Sequence, residues 1–89
     1  MKKISRTNRF KKDVKKMKKR GKSFDVFKQV IQKLAQGESL EERFRDHKLT
    51  GNYVGTRECH IESDWLLIYE IHDDELILIR TGTHSDLFG

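Results

Sequence analysis

The stretch Trp65-Leu66-Leu67-Ile68-Tyr69-Glu70-Ile71, followed by His72-Asp73-Asp74 and then Glu75-Leu76-Ile77-Leu78-Ile79-Arg80, decides the fold. The first run is apolar at nearly every position, the pattern of a central strand covered on both faces. His72-Asp73-Asp74 supplies polar turn chemistry, and Glu75 to Arg80 brings the chain back as a second strand. Upstream, Arg57 to Glu62 alternates. Cys59 and Ile61 fall on one face, Glu58 and His60 on the other. With Glu62-Ser63-Asp64 as a turn, three strands form an antiparallel meander.

Working toward the N-terminus, Glu38 to Asn52 reads as a long, partly ordered connection anchored by Leu40 and Phe44. Before it lie two helices. Val26, Phe27, Val30, Ile31 and Leu34 form one apolar stripe, with Ser23 as the expected cap and Gly37 as the stop. Phe10, Val14 and Met17 form another, opened by Thr7 or Asn8 and ended by Gly21. The short loop between them favours a helix hairpin. Lys2 to Arg6, with only Ile4 to hold it, is a further short strand. The expected architecture is α+β: one domain over residues 1–89, with an N-terminal helix hairpin packed on one face of a small antiparallel sheet.

Composition narrows the function. The 89 residues are 35% hydrophobic and 37% charged, polar for a globular chain, but the strict periodicity of the apolar residues excludes disorder. The net charge of +5 is unevenly spread: residues 1–22 hold twelve Lys or Arg against the single acid Asp13. Lys11, Lys12, Lys15 and Lys16 on the first helix form either a solvated surface or one that tracks phosphates. The latter is favoured, because almost no local acid answers them. Cys59 is alone, which excludes an intrachain disulfide and fits a reducing compartment. No apolar run approaches the ~20 residues of a membrane span, so a cytoplasmic protein with no membrane partner is expected.

The chemistry-bearing residues gather near the strand ends. His47 precedes the meander, His60 lies on its polar register beside Glu58, Asp64 opens the next strand and His84 follows the last. His72 sits at the opposite hairpin tip. Zinc is disfavoured, since no tight pair of ligands such as C-x₂-C occurs and Cys59 and His60 point to opposite faces. No phosphate-binding glycine loop or dinucleotide fingerprint is present, and no cofactor is expected. Cys59 reads as a buried, inert thiol. Imidazoles, a carboxylate and a basic helix suit metal-free cleavage of RNA. The 2′-hydroxyl loses a proton as it attacks, and the 5′-oxygen gains one as it leaves. Arg57 and Arg80, near the histidines in sequence, are candidates to stabilise the phosphorane. Phe88 is either a stacking ring for an unpaired base or a core anchor.

Three motifs together resemble the YafQ branch of the RelE superfamily. They are Arg45-Asp46-His47-Lys48-Leu49-Thr50-Gly51, Arg57-Glu58-Cys59-His60-Ile61-Glu62-Ser63-Asp64-Trp65 and Arg80-Thr81-Gly82-Thr83-His84-Ser85-Asp86-Leu87-Phe88. The resemblance implies a RelE-like microbial RNase fold and a ribosome-dependent endoribonuclease toxin that cuts mRNA at the 16S rRNA decoding site. It also implies a cognate antitoxin, with a DNA-binding domain, that silences the toxin. It carries catalytic and substrate roles onto His47, Glu58, His60, Asp64, His84 and Phe88. Lys48 and Ser63 stand where the family often has proline, and Glu58 where some members have Asp. On this reading His84 is the general acid, His47 the base oriented by Asp64, and His60 a phosphate holder. Rival readings are a non-enzymatic toxin of the same fold that binds a protein such as DNA gyrase, and a plain nucleic-acid-binding module.

Overall fold

A computed structural model describes all of residues 1–89. In chain order the elements are β1 (Lys3–Arg6), α1 (Asn8–Lys19), α2 (Asp25–Ala35), β2 (His47–Lys48), β3 (Arg57–Glu62), β4 (Trp65–His72), β5 (Glu75–Gly82) and α3 (His84–Phe88). Short 3₁₀ turns at Glu42–Phe44 and Gly51–Tyr53 flank β2. The strands form one sheet in the order β1-β5-β4-β3-β2.

The sheet corrects the expectation of a purely antiparallel one. β3, β4 and β5 form the antiparallel meander, and β2 extends it beside β3. β1, however, pairs with β5 in parallel, Ile4 opposite Leu76 and Arg6 opposite Leu78, so the sheet is mixed. A parallel neighbour needs a long crossover, and everything between β1 and β5 provides it. His47 does not merely precede the sheet: it belongs to its edge strand, directly opposite Glu58.

β4 is apolar on both faces because both faces are covered. Trp65, Leu67 and Tyr69 face α1 and α2 and join Phe10, Met17, Phe27, Val30 and Leu34 in the main core. Leu66 and Ile68 face the other way, under Leu87 of α3. Trp65 is fully buried because its indole N–H donates to Thr81 Oγ1 at 2.8 Å, while Phe27 stacks on its ring at 5.2 Å. Burying such a side chain contributes ~1.5–3 kcal/mol, whereas an exposed ion pair contributes ~0–1 kcal/mol. Phe10 and Met17, not the lysines, therefore hold α1 in place.

The helix ends follow local chemistry, with one correction. Thr7 caps α1, its Oγ1 accepting from the Phe10 N–H at 3.0 Å and donating to the Ile79 carbonyl at 2.7 Å. Gly21 and Gly37, at φ of 78° and 79°, take the left-handed conformation that ends α1 and α2. Ser23 is not the cap of α2. Phe24 holds that position, with its ring against Phe27 at 5.0 Å and Trp65 at 5.1 Å. Burying this aromatic outweighs a capping bond. No helix is long and apolar enough to cross a membrane.

Candidate active site

The site lies on the sheet face opposite α1 and α2. Alternation along β3 buries Cys59 among the helices and leaves Glu58 and His60 on the far face. The register of β2 places His47 beside them. A β-bulge between His60 and Glu62 and the turn at Ser63-Asp64 bring Asp64 toward α3, whose first residue is His84. The three imidazoles form a row. The His47 and His60 ring centres are 6.3 Å apart, and those of His60 and His84 5.8 Å.

Each outer histidine has its own carboxylate, and the pairing differs from expectation. Asp64 orients His84, not His47. Its Oδ1 lies 2.6 Å from His84 Nδ1 and accepts the His84 backbone N–H at 2.9 Å. These two contacts, the backbone one first, hold the Asp64 carboxyl below its ordinary range. His47 is held by Glu58, whose Oε2 lies 3.1 Å from Nε2, and by the Arg45 carbonyl 2.7 Å from Nδ1. Glu58 is 5% exposed, so this carboxylate is sequestered behind the ring it holds. His60, between the two, is half-buried. Desolvation lowers its pKa, opposed by the Glu58 charge and reinforced by His84, Arg45 and His47.

The other expected residues fall in three places. Phe88 lies at the end of α3 away from His84, half exposed, with its ring edge-on to Tyr53 at 5.8 Å. Arg57 and Arg80 are each held by a carboxylate. Arg57 shares the register of Cys59 and is tied to Asp46 at 3.3 Å, while Tyr69 Oη donates to that carboxylate at 2.5 Å. Arg80 pairs with Asp13 of α1 at 2.8 Å, the same carboxylate that accepts the Thr81 N–H. Arg57 braces the scaffold, whereas Arg80 lies opposite Ile68, on the face of the sheet that carries the histidines, with Tyr53 as a second neighbour. Lys11, Lys12 and Lys15 are exposed on α1, whereas Lys16 reaches Asp86 of α3 at 3.1 Å.

Asp86 is the residue that sequence reasoning missed. It accepts Arg20 through both oxygens, at 2.6 and 3.0 Å, and closes a capping box with Thr83. These bonds, Arg20 foremost, hold its carboxyl far below the usual range. A Cβ on Gly82 would meet Asp86 at 2.9 Å, so the glycine before Thr83 makes room for this latch. The signal was present as Thr83-x-x-Asp86, a serine/threonine followed three residues on by an acid. Cys59 matches expectation: burial pushes its thiol well up, away from the reactive thiolate.

A sequence profile described as "Bacterial toxin of type II toxin-antitoxin system, YafQ" matches residues 2–89. The "mRNA interferase toxin YafQ" of Escherichia coli (strain K12) is 39% identical over 87 residues, covering 97% of this chain and 95% of that protein. Among solved structures, a copper-bound mutant toxin from Helicobacter pylori has a TM-score of 0.95 at 43% identity, covering 99% of this chain and 100% of that one. The toxin chain of the E. coli DinJ-YafQ complex has a TM-score of 0.92 at 38% identity, with full coverage of both. The carboxylate-anchored row of histidines, carried on this mixed sheet, is thus found in a chain that belongs to the YafQ family of bacterial toxins from type II toxin–antitoxin systems.

Proposed function

We propose that this protein is an mRNA interferase, an endoribonuclease that cuts mRNA on the ribosome by metal-independent attack of the 2′-hydroxyl. The observation that carries the reading is the row of three imidazoles 5.8–6.3 Å apart, with the outer two each fixed by a carboxylate. A surface that only binds another protein, such as DNA gyrase, has no use for that arrangement, and neither does a plain nucleic-acid-binding module. The name of the E. coli relative supports mRNA as substrate, and the DinJ-YafQ complex supports a cognate antitoxin as partner. The cytoplasm is the compartment that belongs to this proposal. A DNA-binding domain on that antitoxin belongs to the same proposal.

Geometry refines the roles. His84, with Nδ1 on Asp64, keeps Nε2 free to give a proton to the leaving 5′-oxygen. Asp64 steadies the charged ring before transfer. His47 is a poorer base than its position first suggests, because both its nitrogens meet acceptors. An unprotonated ring nitrogen cannot donate, so both contacts are hydrogen bonds only in the imidazolium form. That form suits the growing charge on the phosphorane. His60, whose depressed pKa keeps it neutral at pH 7, is then the base for the 2′-hydroxyl. Phe88, half exposed beside Tyr53, offers a ring to a neighbouring base.

Product ends test the chemistry. Purified protein, ribosomes and mRNA should yield 5′-hydroxyl ends with a 2′,3′-cyclic or 3′-phosphate, and a zinc chelator should not slow the reaction. Products with 5′-phosphates, the mark of an activated water, would contradict the mechanism.

The pH profile tests the base. A neutral imidazole is required, so the rate must fall as pH drops through the pKa of His60, which lies below the ordinary 6.5. Single-turnover cleavage of a short RNA should therefore show its acidic limb below pH 6.5, and His60→Gln should abolish that limb along with most activity. An acidic limb that survives in His60→Gln would assign the base elsewhere.

A further inference from the structure

Beside the histidine row lies a concavity that the acid–base steps leave unused. It encloses about 330 Å³, and Arg43, Phe44, Arg45, His60, Glu62 and Ser63 are among its lining residues. His60 forms part of its wall, so the pocket opens directly off the reacting centre. Its electrostatics are positive. Arg45 is exposed and makes no ion pair within 4.0 Å, and its charge is among those that disfavour protonation of His60. Arg43 lies over the buried Phe44 ring at 4.5 Å, with only a loose 3.5 Å contact to the exposed Glu41. The one acid in the lining, Glu62, is answered by Lys22 at 3.0 Å.

Arg45 is also one of two non-glycine residues at positive φ, 49°. Such a conformation costs ~1 kcal/mol or more and persists where the surroundings demand it. Here it turns the Arg45 carbonyl onto His47 Nδ1 at 2.7 Å, while the side chain borders the pocket. One residue thus fixes a histidine of the row through its backbone and contributes a guanidinium next door.

We propose that this pocket is a second phosphate subsite, which takes the backbone phosphate adjacent to the scissile one, with Arg45 as its chief ligand and Arg43 and Ser63 beside it. The inference rests on the ribonuclease reading above. A guanidinium presents a planar fork of donors that matches two phosphate oxygens at once. A ligand that crosses from the imidazole row into a pocket with two guanidiniums must carry negative charge at both places. A nucleic-acid strand does so at every residue. The subsite would hold the strand in register, so that the 2′-hydroxyl rests near His60.

The test measures binding, independently of cleavage. In a His84→Ala background, affinities are measured for synthetic RNAs of two and four nucleotides. The longer RNA should bind at least about tenfold more tightly, the worth of one charge-assisted hydrogen bond. Arg45→Gly removes the guanidinium, tolerates the positive φ and leaves the backbone carbonyl that holds His47. It should erase most of the gain from length and leave the two-nucleotide affinity unchanged. An undiminished gain would overturn the subsite. If Arg45→Gly fails to fold in a thermal melt, Arg43→Gln decides: it must shrink the gain, and an unchanged gain overturns the proposal equally. Failure of the wild type to cleave any RNA would sink the ribonuclease reading instead, and the length dependence would still be readable.

Discussion

His84→Ala will leave a folded protein whose RNA cleavage is slower by about 10²–10⁴-fold, the usual worth of a positioned general acid. The fold does not depend on the ring. His84 is exposed, and its side chain is paired with Asp64 and lies beside the tilted ring of His60. Three other contacts dock α3, namely Leu87 against Leu66 and Ile68 and the bonds that Asp86 accepts from Arg20 and Lys16, while the Thr83–Asp86 capping box closes its first turn. The backbone N–H of residue 84 still reaches Asp64 after the substitution. Single-turnover cleavage and a thermal melt on the same sample separate the two effects. A variant with unchanged melting and unchanged rate would remove the acid from this mechanism. Asp64→Asn should cost less, because the acid remains and only its orientation and charged form lose support.

The parts of this site that could be read in the sequence depend on local periodicity. A period of two along Arg57–Glu62 is enough to set His60 against Cys59, and the structure keeps that division. The apolar run Trp65–Tyr69 reports a strand covered on both sides, although not what covers it. The parts that could not be read depend on long-range or dihedral choices. The parallel pairing of β1 rests on four residues that meet β5 across some seventy positions of chain. The partners of Arg57 and Arg80 are Asp46 and Asp13, 11 and 67 residues away, so sequence position did not disclose which acids hold them. Which carboxylate serves which histidine turns on a bulge after His60 and on the left-handed Arg45. Neither leaves a mark in residue type, since arginine has no preference for positive φ.

The structure also sharpens what the lysine-rich helix can be asked to do. Lys16 is committed to Asp86, so reversing it would set a glutamate against the latch of α3 and disturb His84 indirectly. Lys11, Lys12 and Lys15 are exposed, away from the buried stripe of Phe10 and Met17. Changing these three to Glu alters the charge by two units each and takes the net charge from +5 to −1. Glutamate is nearly as good a helix former as lysine, and its charge suits the first turns of a helix. The variant should therefore fold and keep its activity on small RNA, because the histidines occupy the opposite face of the sheet. Its ribosome affinity should fall about 10–100-fold, and its salt dependence should flatten by roughly one power per lost phosphate contact. If α1 serves the antitoxin instead, acidic partner residues meet these lysines. The variant would then bind ribosomes normally and escape neutralisation. Titrating the variant against ribosomes and against antitoxin at two salt concentrations distinguishes these roles, and an unchanged ribosome affinity ends the case for α1 as an rRNA-docking surface.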